Sequence, residues 1–164
     1  LRFEVSDVTP QAVRSLALEP IHAVVALHAC DAATCAALAL GVGVGAELLA
    51  VAPCCQAELA RGWAALAEAG ARGPFEAIWR APHLRREIGA DVTDVMRVAL
   101  LEGAGYQVQA MEFVPAEHTR KNTLIRAVLG PGSARDPSGE ARYQALKQAT
   151  GGVGIALEGL LGPK

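Results

Sequence analysis

The sequence predicts an α/β fold: a doubly wound layer of strands and helices whose last two strands follow one another with no helix between them. Three observations predict it. Two short apolar runs, AVVAL at residues 23–27 and ELLAVA at 47–52, flank a single helical segment, which is the pattern of a βαβ unit. Their hydrophobicity is continuous rather than alternating, as in parallel strands covered on both faces. Residues 106–114 (YQVQAMEFV) and 122–129 (NTLIRAVL) then read as two successive strands.

Each element has its own justification. Residues 1–5 are strand-like, and Asp7 is placed to N-cap a short helical start at Thr9, Pro10 and Gln11. Asp31 is a natural N-cap for the crossover helix at 31–40, with Gly41, Gly43 and Gly45 as its terminator. After the second apolar run, residues 56–69 carry leucine and alanine at helical spacing and stop at Gly70; residues 72–82 read as a Pro/Gly-containing connection. A long helix is predicted at 83–102, with Ile88, Val92, Val95, Val98, Ala99 and Leu101 as its core face. The polar stretch from Pro115 to Lys121 is too long for a tight turn and suits a functional loop between the last two strands. Residues 130–139 read as a linker, 140–148 as one short helix, and the glycine-rich remainder as a tail.

Composition bounds the rest. A 164-residue chain that is 52% hydrophobic can bury one continuous core. No apolar run approaches the ~20 residues that span a bilayer, and the first residues lack a signal-peptide pattern, so the expectation is a cytoplasmic protein with no membrane partner. A net charge of -2 excludes a global basic field for nucleic acid, leaving only local patches. Four cysteines, two of them adjacent, read as reduced thiols rather than a disulfide framework. The excess of arginine over lysine and the abundance of alanine suggest a GC-rich bacterial genome.

Two glycine patterns invite assignment to a cofactor and do not meet its requirements. Gly41-Val-Gly-Val-Gly45 closes a helix and precedes a strand, whereas a phosphate-binding loop follows a strand and opens a helix. Gly151-Gly-Val-Gly154 has no preceding strand. The informative residues are His28-Ala-Cys-Asp31 after the first apolar run, Pro53-Cys-Cys55 after the second, and Glu117 to Asn122. Ligands in open α/β sheets bind outside the carboxyl ends of strands, and these three polar clusters converge on that edge. A neutral imidazole at His28 can accept a proton from a nucleophile, with Asp31 orienting it or the substrate; the plainer reading is a buried strand-end histidine and a helix cap. Cys54 and Cys55 precede a helix, whose dipole would lower a thiol pKa. His28 and Cys30 would share a strand face, so a zinc site can be drawn with Cys54, but zinc wants four ligands and no CxxC pair is present, so no metal is assigned. Tight packing of small residues at these strand ends is the simpler account of these thiols. His118, Lys121 and Asn122, with Glu117, Thr119, Arg120 and Arg126, form a local polar cluster. Together with Arg80, Arg85 and Arg86 it can meet a phosphate backbone, or else be a solvated hairpin loop. Trp63 and Trp79 can stack on a base or pack in the core.

LHACDAAT, VAPCCQAEL, RVALLEGAGYQV and EFVPAEHTRKNTLIRA, in this order across residues 3–129, resemble class I S-adenosylmethionine-dependent methyltransferases. Relatives of the family it resembles include a tRNA 2'-O-methyltransferase that carries similar His-x-Cys and Cys-Cys segments at these strand ends. The resemblance implies a Rossmann-like sheet ending in an antiparallel strand pair. Residues 1–5 fall on its third strand, and the first two strands and glycine loop would lie upstream, so the chain reads as N-terminally truncated. Residues 1–130 are then a partial methyltransferase domain, and 131–164 a linker and C-terminal tail with a short helix. The cofactor implied is S-adenosylmethionine, with Ser6, Asp7 and Val8 at the adenine and His28 beside the methyl group. His28, Cys30 and Asp31 are implied as catalytic, and Pro53, Cys54, Cys55, His118, Lys121 and Asn122 as substrate-binding. The acceptor implied is RNA. Two other classes stay open: a non-catalytic methyltransferase-fold binding module, and a Cys/His metal- or thiol-dependent protein. With no first strand beside it, the edge of residues 23–27 would be exposed, which predicts homodimerisation through that edge or aggregation.

Overall fold

The computed structural model describes residues 3–16, 20–115, 117–119 and 122–162. Among them the order is α1 (Pro10–Ser15), β1 (Ala23–Leu27), α2 (Ala32–Val44), β2 (Leu48–Ala52), α3 (Glu58–Glu68), α4 (Glu76–Arg80), α5 (Pro82–Gly103), β3 (Tyr106–Glu112), β4 (Thr123–Leu129), α6 (Pro137–Ala149) and α7 (Ala156–Leu161). The four strands form one mixed sheet in the order β1-β2-β4-β3. β1 and β2 are parallel, joined by the crossover helix α2, and β4 lies antiparallel to both β2 and β3. The chain therefore ends its sheet with the antiparallel pair that the sequence predicts, and β1 is left at an edge.

Register separates the two faces of the sheet. Val24, Leu49, Ala127 and Val108 align across it, as do Ala26, Val51, Ile125 and Ala110. Leu49, Val51, Ile125 and Ala127 from these rows are fully buried in the core that α2, α3 and α5 complete with Leu38, Leu59, Trp63, Met96 and Leu101. The intervening row, Val25, Ala50, Arg126 and Gln109, lies on the opposite face, where Val25 and Leu27 are each 61% exposed. Helices thus cover one face of the sheet among the described residues. The expectation of a doubly wound layer, covered on both sides, is corrected on this point: the apolar runs of β1 are continuous, but alternate residues face solvent.

Other expectations also change. Residues 3–8 form no strand; no described strand lies beside them, and an unpaired strand has no ladder to hold it. Thr9, not Asp7, caps α1, its hydroxyl accepting from the Ala12 N–H. α2 does not stop at Gly41 but runs through Gly43 to a left-handed Gly45. A Cβ on Gly41 would collide with the Leu49 side chain and one on Gly43 with Pro10, so these glycines admit close neighbours, and only Gly45 terminates. On α5, Val95 is exposed, while Thr93, Asp94, Met96 and Arg97 are buried; Asp94 and Arg97 neutralise each other there. The connection at 72–82 contains α4, whose Trp79 is buried.

The segment read as a linker, one short helix and a tail carries two packed helices, the expected one, α6, and α7 beyond it. Asp136 caps α6 by accepting from the Ser138 N–H, and Gly139 sits so close to Gly103 and Ala99 that α5 and α6 meet backbone to backbone. Gly151 lies against Leu66 and Trp79, and Val153 against Gly62, so the glycine run is a packed loop. It delivers α7, whose Leu157 is fully buried, onto α2 and α5. The Glu158 carboxylate gathers Tyr143, Gln144 and Lys147 of α6 at 2.8–3.2 Å. Both tryptophans are core residues, Trp63 donating to the Thr150 carbonyl at 2.8 Å, so neither offers a face to a base.

Candidate functional site

The parallel pairing of Leu27 with Ala52 ends both strands together and sends residues 28–31 and 53–57 out side by side. Because β3 and β4 pair Glu112 with Thr123, the loop between them leaves the same edge. The predicted convergence of three polar segments is therefore present in the topology.

Hydrogen bonds bind the first two segments into one unit. His28 N–H donates to the Ala52 carbonyl at 3.2 Å, and Asp31 N–H to the Cys55 carbonyl at 2.8 Å. The Asp31 carboxylate accepts from the Ala57 N–H at 3.0 Å and from Arg61 at 2.6 Å. It makes no capping bond to α2, so the expected N-cap role is replaced by a tie to the start of α3. Thr34 donates to the Ala29 carbonyl, closing the loop from its other side. Holding this shape requires left-handed backbone at His28 (φ 56°) and Asp31 (φ 50°), the described non-glycine residues with positive φ. Such conformations cost of order 1–3 kcal/mol and persist where surrounding bonds over-determine them. His28 consequently lies off the strand, and it does not share a strand face with Cys30. Its ring is exposed and has no hydrogen-bond partner among the described residues, so it is not a satisfied buried histidine.

The thiols come together in this unit. Cys30 and Cys54 Sγ atoms lie 3.1 Å apart, and Cys55 completes a group whose sulfurs all fall within 4.8 Å of one another. Cys30 and Cys55 are exposed and Cys54 half-buried, while Pro53 is buried beneath them. The Cys54 thiol is pushed up to about 12, chiefly by its hydrogen bond with Cys30, then by burial and Cys55. For Cys54 this is the reverse of the expected lowering by a helix dipole: α3 begins only at Glu58, and the neighbouring sulfurs and burial keep Cys54 protonated.

Beneath the unit lies a buried polar network that the sequence did not disclose. Arg97, 0% exposed, donates to the Asp94 carboxylate at 2.8 Å and to the Asp31 carbonyl at 3.0 Å. Its Nη2 also approaches Cys35 at 3.4 Å and Glu58 at 3.8 Å, and Gln56 donates to Asp94 at 2.7 Å. Burial raises the Asp94 carboxyl above its usual range against the opposing pull of Arg97 and Gln56. Arg97 thereby ties α5 to the strained loop from below. An Asp-x-x-Arg pair facing inward on a helix was the available signal.

The other predicted residues are more scattered. Ser6, Asp7 and Val8 are exposed, and among the described residues none hydrogen-bonds to the 28–34 loop. Among the described residues, neither the Asp7 carboxylate nor the His28 imidazole has a hydrogen-bond partner. Asn122 donates to Glu112 at 2.8 Å and to the Val114 carbonyl at 3.0 Å, staying on its own hairpin, and His118 lies 3.6 Å from Glu117. Lys121 and Arg120 lie outside the described residues. Arg126 sits on the open sheet face beside Gln109, Arg80 pairs with Glu76, and Arg85 donates to the Trp79 carbonyl. Among the described residues no helix is long and apolar enough to cross a membrane.

No curated protein and no solved structure matches the chain. A family model described as a methyltransferase domain matches residues 1–62, a span that contains Ser6–Val8, the His28–Asp31 loop and Pro53–Cys55. The part of the chain that carries β1, α2, β2 and the strained double loop is thus the part similar to a methyltransferase domain.

Proposed function

We propose that the protein is an S-adenosylmethionine-dependent methyltransferase of Rossmann-like fold acting on RNA. The observation that carries this reading is the match of residues 1–62 to a methyltransferase domain, continued beyond the match by the antiparallel β4–β3 ending of the sheet. S-adenosylmethionine, when bound, supplies an electrophilic methyl on a sulfonium. The chain's share is alignment and proton removal: Asp7 as acceptor for the adenine amine, and the pinned 28–31 loop presenting His28 to the acceptor group. Cys30 and Asp31 shape that loop, Asp31 through Arg61 and α3. Pro53, Cys54 and Cys55 form the neighbouring wall, and His118, on the connection between β3 and β4, would meet a phosphate backbone at the same edge. The free edge of β1 is where a second copy would add.

The test is transfer of labelled methyl from S-adenosylmethionine to RNA by the native gene product. Methyl incorporation that falls ~100-fold in His28→Ala, with cofactor binding retained, supports the reading at the level expected of a general base. Absence of cofactor binding refutes it and leaves a binding module. Transfer to a protein or small molecule but not to RNA refutes the acceptor alone.

A further inference from the structure

We propose that Cys30, Cys54 and Cys55 form a trithiolate site for a d10 thiophilic cation, zinc in the first instance, with its fourth position open to solvent. The three ligand atoms come from two loops, yet all lie within 4.8 Å of one another. A tetrahedral ion with bonds of about 2.3 Å to sulfur places its ligands about 3.8 Å apart, between the 3.1 Å of the Cys30–Cys54 pair and that outer limit. Adjustments of under about 1 Å at side-chain torsions therefore suffice.

Both loops are fixed independently of any metal. The Asp31 N–H bond to Cys55, the Asp31 carboxylate bonds to Ala57 and Arg61, and the Arg97 bond to the Asp31 carbonyl lock the segment bearing Cys30 against the one bearing Cys54 and Cys55. Left-handed backbone at His28 and Asp31, on either side of Cys30, is the strain this arrangement sustains. Preformed ligands reduce the ordering cost of binding, and sites with three protein ligands and an open place are those in which zinc takes up water or substrate. No described carboxylate or imidazole joins the sulfur cluster, so the fourth ligand comes from solvent or a bound molecule. Binding replaces three S–H bonds by three metal–sulfur bonds and releases three protons to solvent, with no change of oxidation state.

The experiment is anaerobic titration of the reduced protein with Co2+ as optical probe, followed by displacement with Zn2+; it uses no methyl donor, so it stands or falls apart from the methyltransferase reading. The expected result is one thiolate-to-cobalt charge-transfer absorption saturating at one ion per chain and lost on adding zinc. Cys55→Ser, at an exposed position, weakens binding about 100-fold or more, whereas Cys35→Ser, outside the cluster, leaves it unchanged. Circular dichroism of Cys55→Ser confirms that the fold persists. Absence of the absorption, its survival in Cys55→Ser at full affinity, or a Cys30–Cys54 disulfide with no metal taken up after reduction overturns the proposal.

Discussion

Replacing Arg97 by Met removes the positive charge from the middle of α5 while keeping most of the side-chain volume. Asp94 then stays buried with only Gln56 to satisfy it, and the Asp31 carbonyl loses a donor. Removing one partner of a buried pair costs about 3–5 kcal/mol. In a domain of this size that corresponds to a fall in Tm of roughly 6–20 °C. The double variant Arg97→Met/Asp94→Asn keeps an acceptor for Gln56 and carries no charge, so it recovers more than half of the loss. The pH dependence fixes the sign. Burial already holds the Asp94 carboxyl above its usual range, and without Arg97 it rises further. A carboxyl with a raised folded-state pKa destabilises the fold when ionised, and that cost fades as pH falls through the folded value. The gap between the variant and the native protein therefore narrows on acidification. Urea unfolding followed by circular dichroism between neutral pH and pH ~4 measures it. A neutral-pH loss under about 1 kcal/mol, or a gap that widens in acid, would refute the argument.

Three further outcomes are expected. Gly139→Ala forces a Cβ into the Gly103 and Ala99 backbone and costs about 1–3 kcal/mol or more, whereas Gly41→Ala displaces only the end of Leu49 and gains helix propensity; calorimetry showing equal Tm values would contradict this. Glu158→Gln loosens α7 from α6 by about 1–3 kcal/mol at neutral pH. Although burial opposes it, hydrogen bonds from Lys147, Tyr143 and Gln144 hold the Glu158 carboxyl below its usual range, so its stabilisation is present above ~4.3, the unfolded value, and lost as pH falls through the folded one. The difference from the native protein accordingly shrinks in acid, as acid unfolding curves will show. Val25→Lys with Leu27→Glu changes stability by no more than about 0.5 kcal/mol, because both side chains are already in solvent, and lowers self-association in light scattering. A large loss of stability would mean that this face is covered.

The sheet was legible because its strands are compact apolar runs bounded by turn residues, and the ending of residues 106–129 exposed the lack of a helix. What faces each strand was not legible: AVVAL carries the same letters whether Val25 is buried or open, and only the positions of the helices decide. Arg97 escaped because a lone arginine in a helix reads as surface until its partners, Asp94 three residues away and Asp31 sixty-six residues away, are known. The thiol cluster was half-visible. The sequence put residues 30 and 54 at neighbouring strand ends, but the left-handed turns at His28 and Asp31 that bring the sulfurs together have no glycine to announce them. α7 was overlooked because six residues after a glycine run resemble a tail, and what holds them, the burial of Leu157 and the bonds of Glu158 and Ala156, lies far away in the sequence or within a single turn.

That last helix has a bearing on how the chain is made. The Ala156 N–H is held by Glu58, ninety-eight residues earlier, and α7 covers α2, which precedes it by more than a hundred. On a ribosome adding about 5–20 residues per second, α2 and β2 wait several seconds for the piece that closes their core. During that interval the side of α2 that α7 comes to cover stays open to its surroundings.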